Sequence, residues 1–209
     1  MINLVNAEQS MLMDEVTISN SSFSRNKLID NAGKAVAYHI LENIVNPFNN
    51  RFLCIAGRGS NGLDSIVANF YLKKNHVSSD LLIIESEKID KKFINRYIKN
   101  KNFYKSLKDL DLDSYTYIVD GLFGTGLNRD ISGIYFDIIN TLHKKNNIIS
   151  IDIPSGIFCD NGGRANVSFN AKHTVTFGFP KIGHYLNHGY DSTGNLYVYD
   201  IGHKSDDIA

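Results

Sequence analysis

From residue 51 onward the chain alternates short apolar runs with segments of helical periodicity, and that alternation admits few folds. The runs fall at about 51–56, 80–85, 116–120 and 147–151, with helices expected near 62–75, 89–100 and 132–145. Tyr117-Ile118-Val119 and Ile148-Ile149 are continuous rather than alternating, as in strands covered on both faces. Strand then helix, repeated, builds a parallel sheet with helices on each side. The helix expected at 62–75 carries Leu63, Ile66, Val67, Phe70 and Tyr71 at core-facing spacing. Ahead of the sheet, residues 7–46 read as two helices. Leu28, Ala32, Val36, Ile40 and Ile44 share one face of the second, which Asn46-Pro47 ends. Late strands are expected at 174–177 and 196–199, and the Lys-rich stretch 88–108 reads as a solvated helix face. With no linker or repeat, residues 1–209 are expected to form one α/β domain. Its expected form is a three-layer α/β/α sandwich on a mostly parallel sheet, with an N-terminal helical extension.

Composition narrows the function classes. At 209 residues and 43% hydrophobic, the chain can bury a real core. Its 22 basic and 22 acidic residues balance, which argues against a nucleic-acid binder working through a basic face, and against disorder. No apolar run approaches the roughly 18 residues of a membrane span, and Met1-Ile2-Asn3-Leu4-Val5-Asn6 lacks the basic start and apolar core of a secretory leader. A soluble cytoplasmic protein is expected, with neither nucleic acid nor membrane as partner. Cys54 lies in a buried-strand pattern and Cys159 after a loop, where exposure is expected. Neither belongs to a CxxC or adjoins a His, which leaves no redox or zinc motif.

In an open α/β sheet, ligands bind beyond the carboxyl ends of the strands, and three strand ends here share a style. The first runs into Gly57-Arg58-Gly59-Ser60-Asn61-Gly62-Leu63-Asp64, the third into Asp120-Gly121-Leu122-Phe123-Gly124-Thr125-Gly126-Leu127-Asn128-Arg129, the fourth into Asp152-Ile153-Pro154-Ser155-Gly156. Glycines let backbone N–H groups face a ligand, and a following helix adds a positive dipole end. The first loop is a GxGxxG with Glu85 some twenty residues on, which by itself reads as a dehydrogenase or as a plain tight turn. Asp120 and Asp152 either brace their own loops or point into one crevice, where an Asp serves as general base or as ligand to a hard cation. Asn61, Asp120, Ser155 and loop carbonyls are the oxygen donors available for such an ion, and the absence of Cys and His from the set disfavours zinc. His184 and His188 have i, i+4 spacing outside any expected helix, and Ser155 lacks a nucleophile elbow. Lys181 is either solvated or reaches the crevice.

At these loops the sequence resembles a known family. DNAG at 30–33, VDGLFGTGLNR at 119–129, DIPSG at 152–156 and TFGFPKIG at 176–183 are similar to the YjeF N-terminal domain family of NAD(P)H-hydrate epimerases, in order over about residues 7–202. The resemblance implies a Rossmann-like three-layer fold, a homodimer, and interconversion of the R and S epimers of hydrated NADH and NADPH (NADHX and NADPHX) at C6 of the reduced ring. It implies a functional partner too, an ADP- or ATP-dependent dehydratase, expected on another chain or domain because this sequence stops at Ala209. It implies that Ser60, Asn61, Gly62, Leu63 and Asp64 contact the hydrate. Gly124, Thr125, Gly126, Leu127, Asn128, Arg129 and Asp130 would hold its phosphate-bearing part, and Asp152 would face the nicotinamide as acid/base with Lys181 as helper. It implies a potassium ion on Asn61, Asp120 and Ser155. The family's Asn-Asn-Gly-Gly-Asp-Gly loop is replaced here by Ser60-Asn61-Gly62-Leu63-Asp64-Ser65. Arg58 stands where the family commonly has Pro, and Asp130 where Pro follows Arg. A left-handed backbone at position 63 would strain Leu63. A non-catalytic ligand-binding or dimeric interaction module of the same fold is therefore the alternative reading.

Overall fold

The computed structural model describes residues 3–20 and 23–203; Met1 and Ile2, part of the segment tested above for a leader, lie outside them. Chain order is α1 (Ala7–Asn20), α2 (Arg25–Asn43), β1 (Arg51–Ala56), α3 (Ser60–Lys74), β2 (Ser78–Ile83), α4 (Lys91–Tyr97), β3 (Tyr117–Gly121), α5 (Gly133–Leu142), β4 (Ile148–Ile151), β5 (His173–Phe177), α6 (Asn187–Thr193) and β6 (Asn195–Tyr199). The six strands lie in the order β2-β1-β3-β4-β5-β6, and every neighbouring pair is parallel. From β1 the sheet grows in one direction to β2 and in the other to β3. The crevice between the carboxyl ends of β1 and β3 is thus the topological switch point, where open parallel sheets bind ligands.

Side-chain alternation along the strands feeds two cores. Phe52, Cys54 and Ala56 of β1 pack with Leu28, Val36 and Ile40 of α2, Ile66 and Val67 of α3, and Phe93 of α4. Leu53 and Ile55 face the other way, onto Ile138, Ile139 and Leu142 of α5 and onto Phe169. These are the outer layers of the sandwich, and α2 is part of one of them. The expected faces of α2 and α3 both point inward, with Leu63, Phe70 and Tyr71 packed at the margin of the core. In the Lys-rich stretch, Lys91, Lys92 and Arg96 of α4 are exposed while Phe93, Ile94 and Tyr97 are buried.

Two expectations shift. β2 begins two residues earlier than the apolar run and ends by Ile83, because Glu85 takes a left-handed backbone (φ 55°) that leaves the sheet. Cys159, expected at the surface, is buried against Ile153 and Ile157, and burial pushes its thiol up to about 12. No helix of the described residues is long and apolar enough to cross a membrane.

The helices α2 and α3 approach closely at Gly33. A Cβ there would lie 2.6 Å from the Asp64 carbonyl oxygen and 2.5 Å from Val67 Cβ. Gly33→Ala is therefore expected to force α2 and α3 apart, at a cost of about 1–3 kcal/mol, read as a melting temperature several degrees lower. An unchanged melting temperature would contradict this packing.

Candidate active site

Asp120 stands at the end of β3, in register with Ser150 of β4, and none of its surface is exposed. Its carboxylate accepts four hydrogen bonds: from Ser155 Oγ (2.6 Å) and Leu122 N (3.2 Å) on one oxygen, and from Ser150 Oγ (2.9 Å) and Ser155 N (2.9 Å) on the other. Ser155 Oγ in turn accepts from Phe123 N, so the loops after β3 and β4 are tied to one carboxylate. Asn61, in the first turn of α3, donates its amide to the carbonyls of Phe123 (2.8 Å) and Ile151 (2.7 Å). Asn61, Asp120 and Ser155 are thus brought together with main-chain carbonyls. Burial raises the Asp120 carboxyl above its ordinary value despite the Ser155, Leu122 and Ser150 donors. No cationic side chain pairs with it among the described residues.

Asp152 follows β4 in a left-handed conformation (φ 65°), uncommon for a residue with a side chain. Its backbone is held from both ends: its N–H donates to Val175 O (2.7 Å), and its carbonyl accepts from His184 Nε2 (2.8 Å). His184 Nδ1 accepts from the Lys181 N–H, which places the ring proton on Nε2. Burial, chiefly, and the Lys181 charge hold this His down to about 4. Asp152 Oδ1 accepts from Lys181 Nζ (2.6 Å) and from Thr176 Oγ1 (2.9 Å). Burial pushes the Asp152 carboxyl up, but Lys181, His184 and Thr176 outweigh it and hold the carboxyl below its ordinary value. Lys181 is 1% exposed. Its three ammonium N–H groups meet Asp152, Thr176 Oγ1 (2.8 Å) and Phe177 O (3.1 Å). The Lys181 loop is itself stitched to the chain's beginning, with Val5 N donating to Pro180 O and Ile182 N to Val5 O, each at 3.0 Å.

A cavity of about 740 Å³ lies at the switch point. Asp152, Lys181, Asn61 and Asp64 line it together with Ser60, Arg25, Arg58 and the loop from Gly124 to Arg129. Phe123 and Tyr135 add an aromatic part of its wall. Gly59 caps α3 without a side-chain bond, so the first N–H groups of this helix face the ligand side. Arg25 Nη2 donates to Ser60 Oγ at 3.1 Å. Asp14 of α1 and His203, paired at 2.8 Å, close the rim.

Five of the sequence-derived residues lie outside the cavity wall: Asp120 and Ser155, both buried, and Gly62, Leu63 and Asp130. Gly62 is buried under the turn, where a Cβ would meet Gly57 O at 1.8 Å. Leu63 packs at the edge of the core in ordinary helical conformation, so the left-handed strain does not arise, while two other departures from the family pattern, Ser60 and Arg58, line the cavity. Asp130 is exposed and accepts from Asn166 N at 3.0 Å, fixing its loop. Glu85, the acidic residue of the dehydrogenase reading, is engaged by Lys88, Tyr135 (2.9 Å) and Arg58 (3.9 Å). Sequence reasoning missed Thr176, Arg25, Tyr135 and His184. Thr176 lies inside the TFGFPKIG string, but nothing in its spacing tells a strand hydroxyl that bridges Asp152 and Lys181 from one that faces the core. His184 was weighed only with His188 as a zinc pair. No group of three or more His, Cys, Asp and Glu among the described residues is arranged to hold a metal.

A family model described as "YjeF-related protein N-terminus" matches residues 25–183. The NAD(P)H-hydrate epimerase of Oenococcus oeni is 31% identical over 207 residues, covering 95% of this chain and 96% of that protein. The bifunctional NAD(P)H-hydrate repair enzyme Nnr of Thermofilum pendens is 29% identical over 92% of this chain, which spans only 38% of that longer protein. The crystal structure of yeast ynu0, YNL200c, superposes with a TM-score of 0.74 at 21% identity, covering 95% of this chain and 88% of the other, and so shares the fold.

The Lys181–Asp152 pair yields a stability test. Because the folded Asp152 value is depressed, its contribution is complete above the unfolded value of about 4 and is lost as pH falls through the folded one. Lys181→Met is expected to cost about 3–5 kcal/mol at neutral pH by leaving a buried carboxylate unpaired, and Asp152→Asn in the same chain to recover much of it. Urea unfolding measures both. A single variant as stable as the wild type would mean that the pair is not formed.

Proposed function

The chain belongs to the YjeF-related N-terminal family, and from that premise we propose that it interconverts the R and S epimers of hydrated NADH and NADPH at C6 of the reduced ring. The observation that carries the proposal is a single cavity lined by two chemically distinct sets of groups. One set comprises uncapped helix N–H groups, a glycine loop and Arg25, Arg58 and Arg129, which suit a pyrophosphate. The other centres on a buried ionised Asp152 locked in orientation, which suits proton traffic at a ring carbon.

The two epimers differ only in configuration at C6, so no redox partner is needed. The hydroxyl must leave and return on the other face, or an equivalent bond to C6 must open and close. Asp152, held ionised, is the proton acceptor. Lys181 has every N–H committed to Asp152, Thr176 and Phe177, so it positions Asp152 and keeps it charged. Phe123 and Tyr135 give the cavity an aromatic surface against which a ring can pack.

We propose a potassium ion held by Asn61, Asp120 and Ser155. The fit is chemical: Asp120 is a fully buried carboxylate with neutral donors only, a situation that calls for a compensating charge. One carboxylate among hydroxyl, amide and carbonyl oxygens suits a hard monovalent ion. Such an ion supplies charge balance that braces the loops after β3 and β4. Potassium is expected to raise the melting temperature of the wild type relative to tetramethylammonium at equal ionic strength, and Ser155→Ala to abolish the difference. Equal melting temperatures in both salts would remove the ion from the site.

As further parts of this reading, the chain works beside an ADP- or ATP-dependent dehydratase that consumes the S epimer, and assembles as a homodimer. The exposed Tyr185, Leu186 and Tyr190 offer apolar contact surface, and a monomer mass by light scattering at micromolar concentration would count against the dimer. The deciding experiment mixes both hydrate epimers with a separate S-specific dehydratase, adds this protein in potassium buffer and follows R by chromatography. R is expected to vanish well above its spontaneous rate, and Asp152→Asn to return it to that rate. Decay of R at the spontaneous rate with the wild type would refute the epimerase reading.

A further inference from the structure

Three buried carboxyls lie at the carboxyl edge of the sheet, and two of them have side-chain partners. Asp120 has four donors, and Asp152 has an ammonium and a hydroxyl. The third, Asp64, is 6% exposed and lines the cavity beside Asp152, yet its side chain has no hydrogen-bond donor and no ion pair among the described residues. An ionised carboxylate is poorly tolerated in such a place, whereas the neutral acid is not. We propose that Asp64 is the proton donor of the C6 chemistry, a carboxylic acid facing the cavity opposite the Asp152 carboxylate in role. The inference rests on the epimerase reading above and supplies the acid which that reading lacks.

The surroundings agree. Burial, followed by the charges of Asp152 at the end of β4 and Asp14 on α1, pushes the Asp64 carboxyl well above its ordinary value, and Arg25 on α2 opposes them without prevailing. Two carboxyls in one cavity are thus driven apart, one toward the acid and one toward the base, the pattern of an assigned acid/base pair. Alternative donors are committed: Lys181 to Asp152, Thr176 and Phe177, Tyr135 to Glu85, and His203 to Asp14. The position is rigid as well, because the Asp64 backbone is clasped against Gly33 of α2.

The step balances. The Asp64 proton passes to the C6 hydroxyl, the C6–O bond breaks as the lone pair of N1 forms an N1=C6 double bond, and water departs. Water then adds to C6 from the opposite face, the π electrons return to N1, and Asp152 accepts the released proton. One C–O bond is broken and one made, with no electron transferred. The proton returns from Asp152 to Asp64 through cavity water, and the reverse sequence carries S to R.

Asp64→Asn keeps the size of the side chain and removes the acid. In the dehydratase-coupled assay with the R hydrate of NADH in potassium buffer, kcat is expected to fall about 10²–10⁴-fold with KM little changed. The alkaline decline of wild-type kcat is expected to disappear from the residual rate. Carbon-13 NMR is expected to show a protonated aspartate carboxyl in the wild type at neutral pH, and Asp64→Asn to lack that signal, which tells Asp64 from the buried Asp120. Wild-type kcat in Asp64→Asn, a change in KM alone, or no protonated aspartate at neutral pH would each overturn the assignment and leave the epimerase reading standing. A wild type that does not consume R would fail that reading, and the assignment with it.

Discussion

A carboxylate with no exposed surface, Asp120, holds the ligand side of this molecule together. It sits where β3 ends, and its four hydrogen bonds come from the adjacent strand, from its own loop and from the loop that follows β4. Those bonds fix both loops on one carboxylate, and Phe123 N adds a direct link between the loops by donating to Ser155 Oγ. Asn61 reinforces the arrangement from α3 by donating to Phe123 O and Ile151 O. The arrangement is costly in isolation, because neutral donors compensate a buried charge only in part. That incomplete compensation is what supports the proposed potassium ion.

The same edge of the sheet shows how environment differentiates identical side chains. Asp120, Asp152 and Asp64 are all buried, and burial acts on each in the same direction. What separates them is company. Dipoles surround the first, a full positive charge lies against the second, and the third faces open cavity with other carboxylates nearby. In the proposed reading, brace, base and acid fall to three side chains of one type, told apart by their surroundings.

The architecture was largely legible because it rests on periodicity. Tyr117-Ile118-Val119 and Ile148-Ile149 are continuous apolar runs, and a strand buried on both faces must be written that way. The faces of α2 and α3 followed from spacing for the same reason. Site residues were legible where a loop carried a residue signature, as with Asp120, Asp152 and Ser155. They were not legible where function depends on contact across distant segments. Lys181 lies 29 positions from Asp152 by their numbers, and the path of the loop after β5 decides whether it meets water or a carboxylate. His184 was hidden because its role is to hold a backbone carbonyl, for which no spacing rule exists. Leu63 misled in the opposite sense: a departure from a family loop reads as damage until the helix is seen to turn that side chain into the core.

Val5 is bonded to the loop that carries Lys181, through Pro180 O and Ile182 N. A residue ahead of α1 thus braces the loop that presents the counter-charge of Asp152. The segment before α1 contributes to the geometry of the candidate site as well as leading into the helix. A tag or truncation that disturbs Val5 would therefore disturb the support of Lys181 at a distance from the cavity itself.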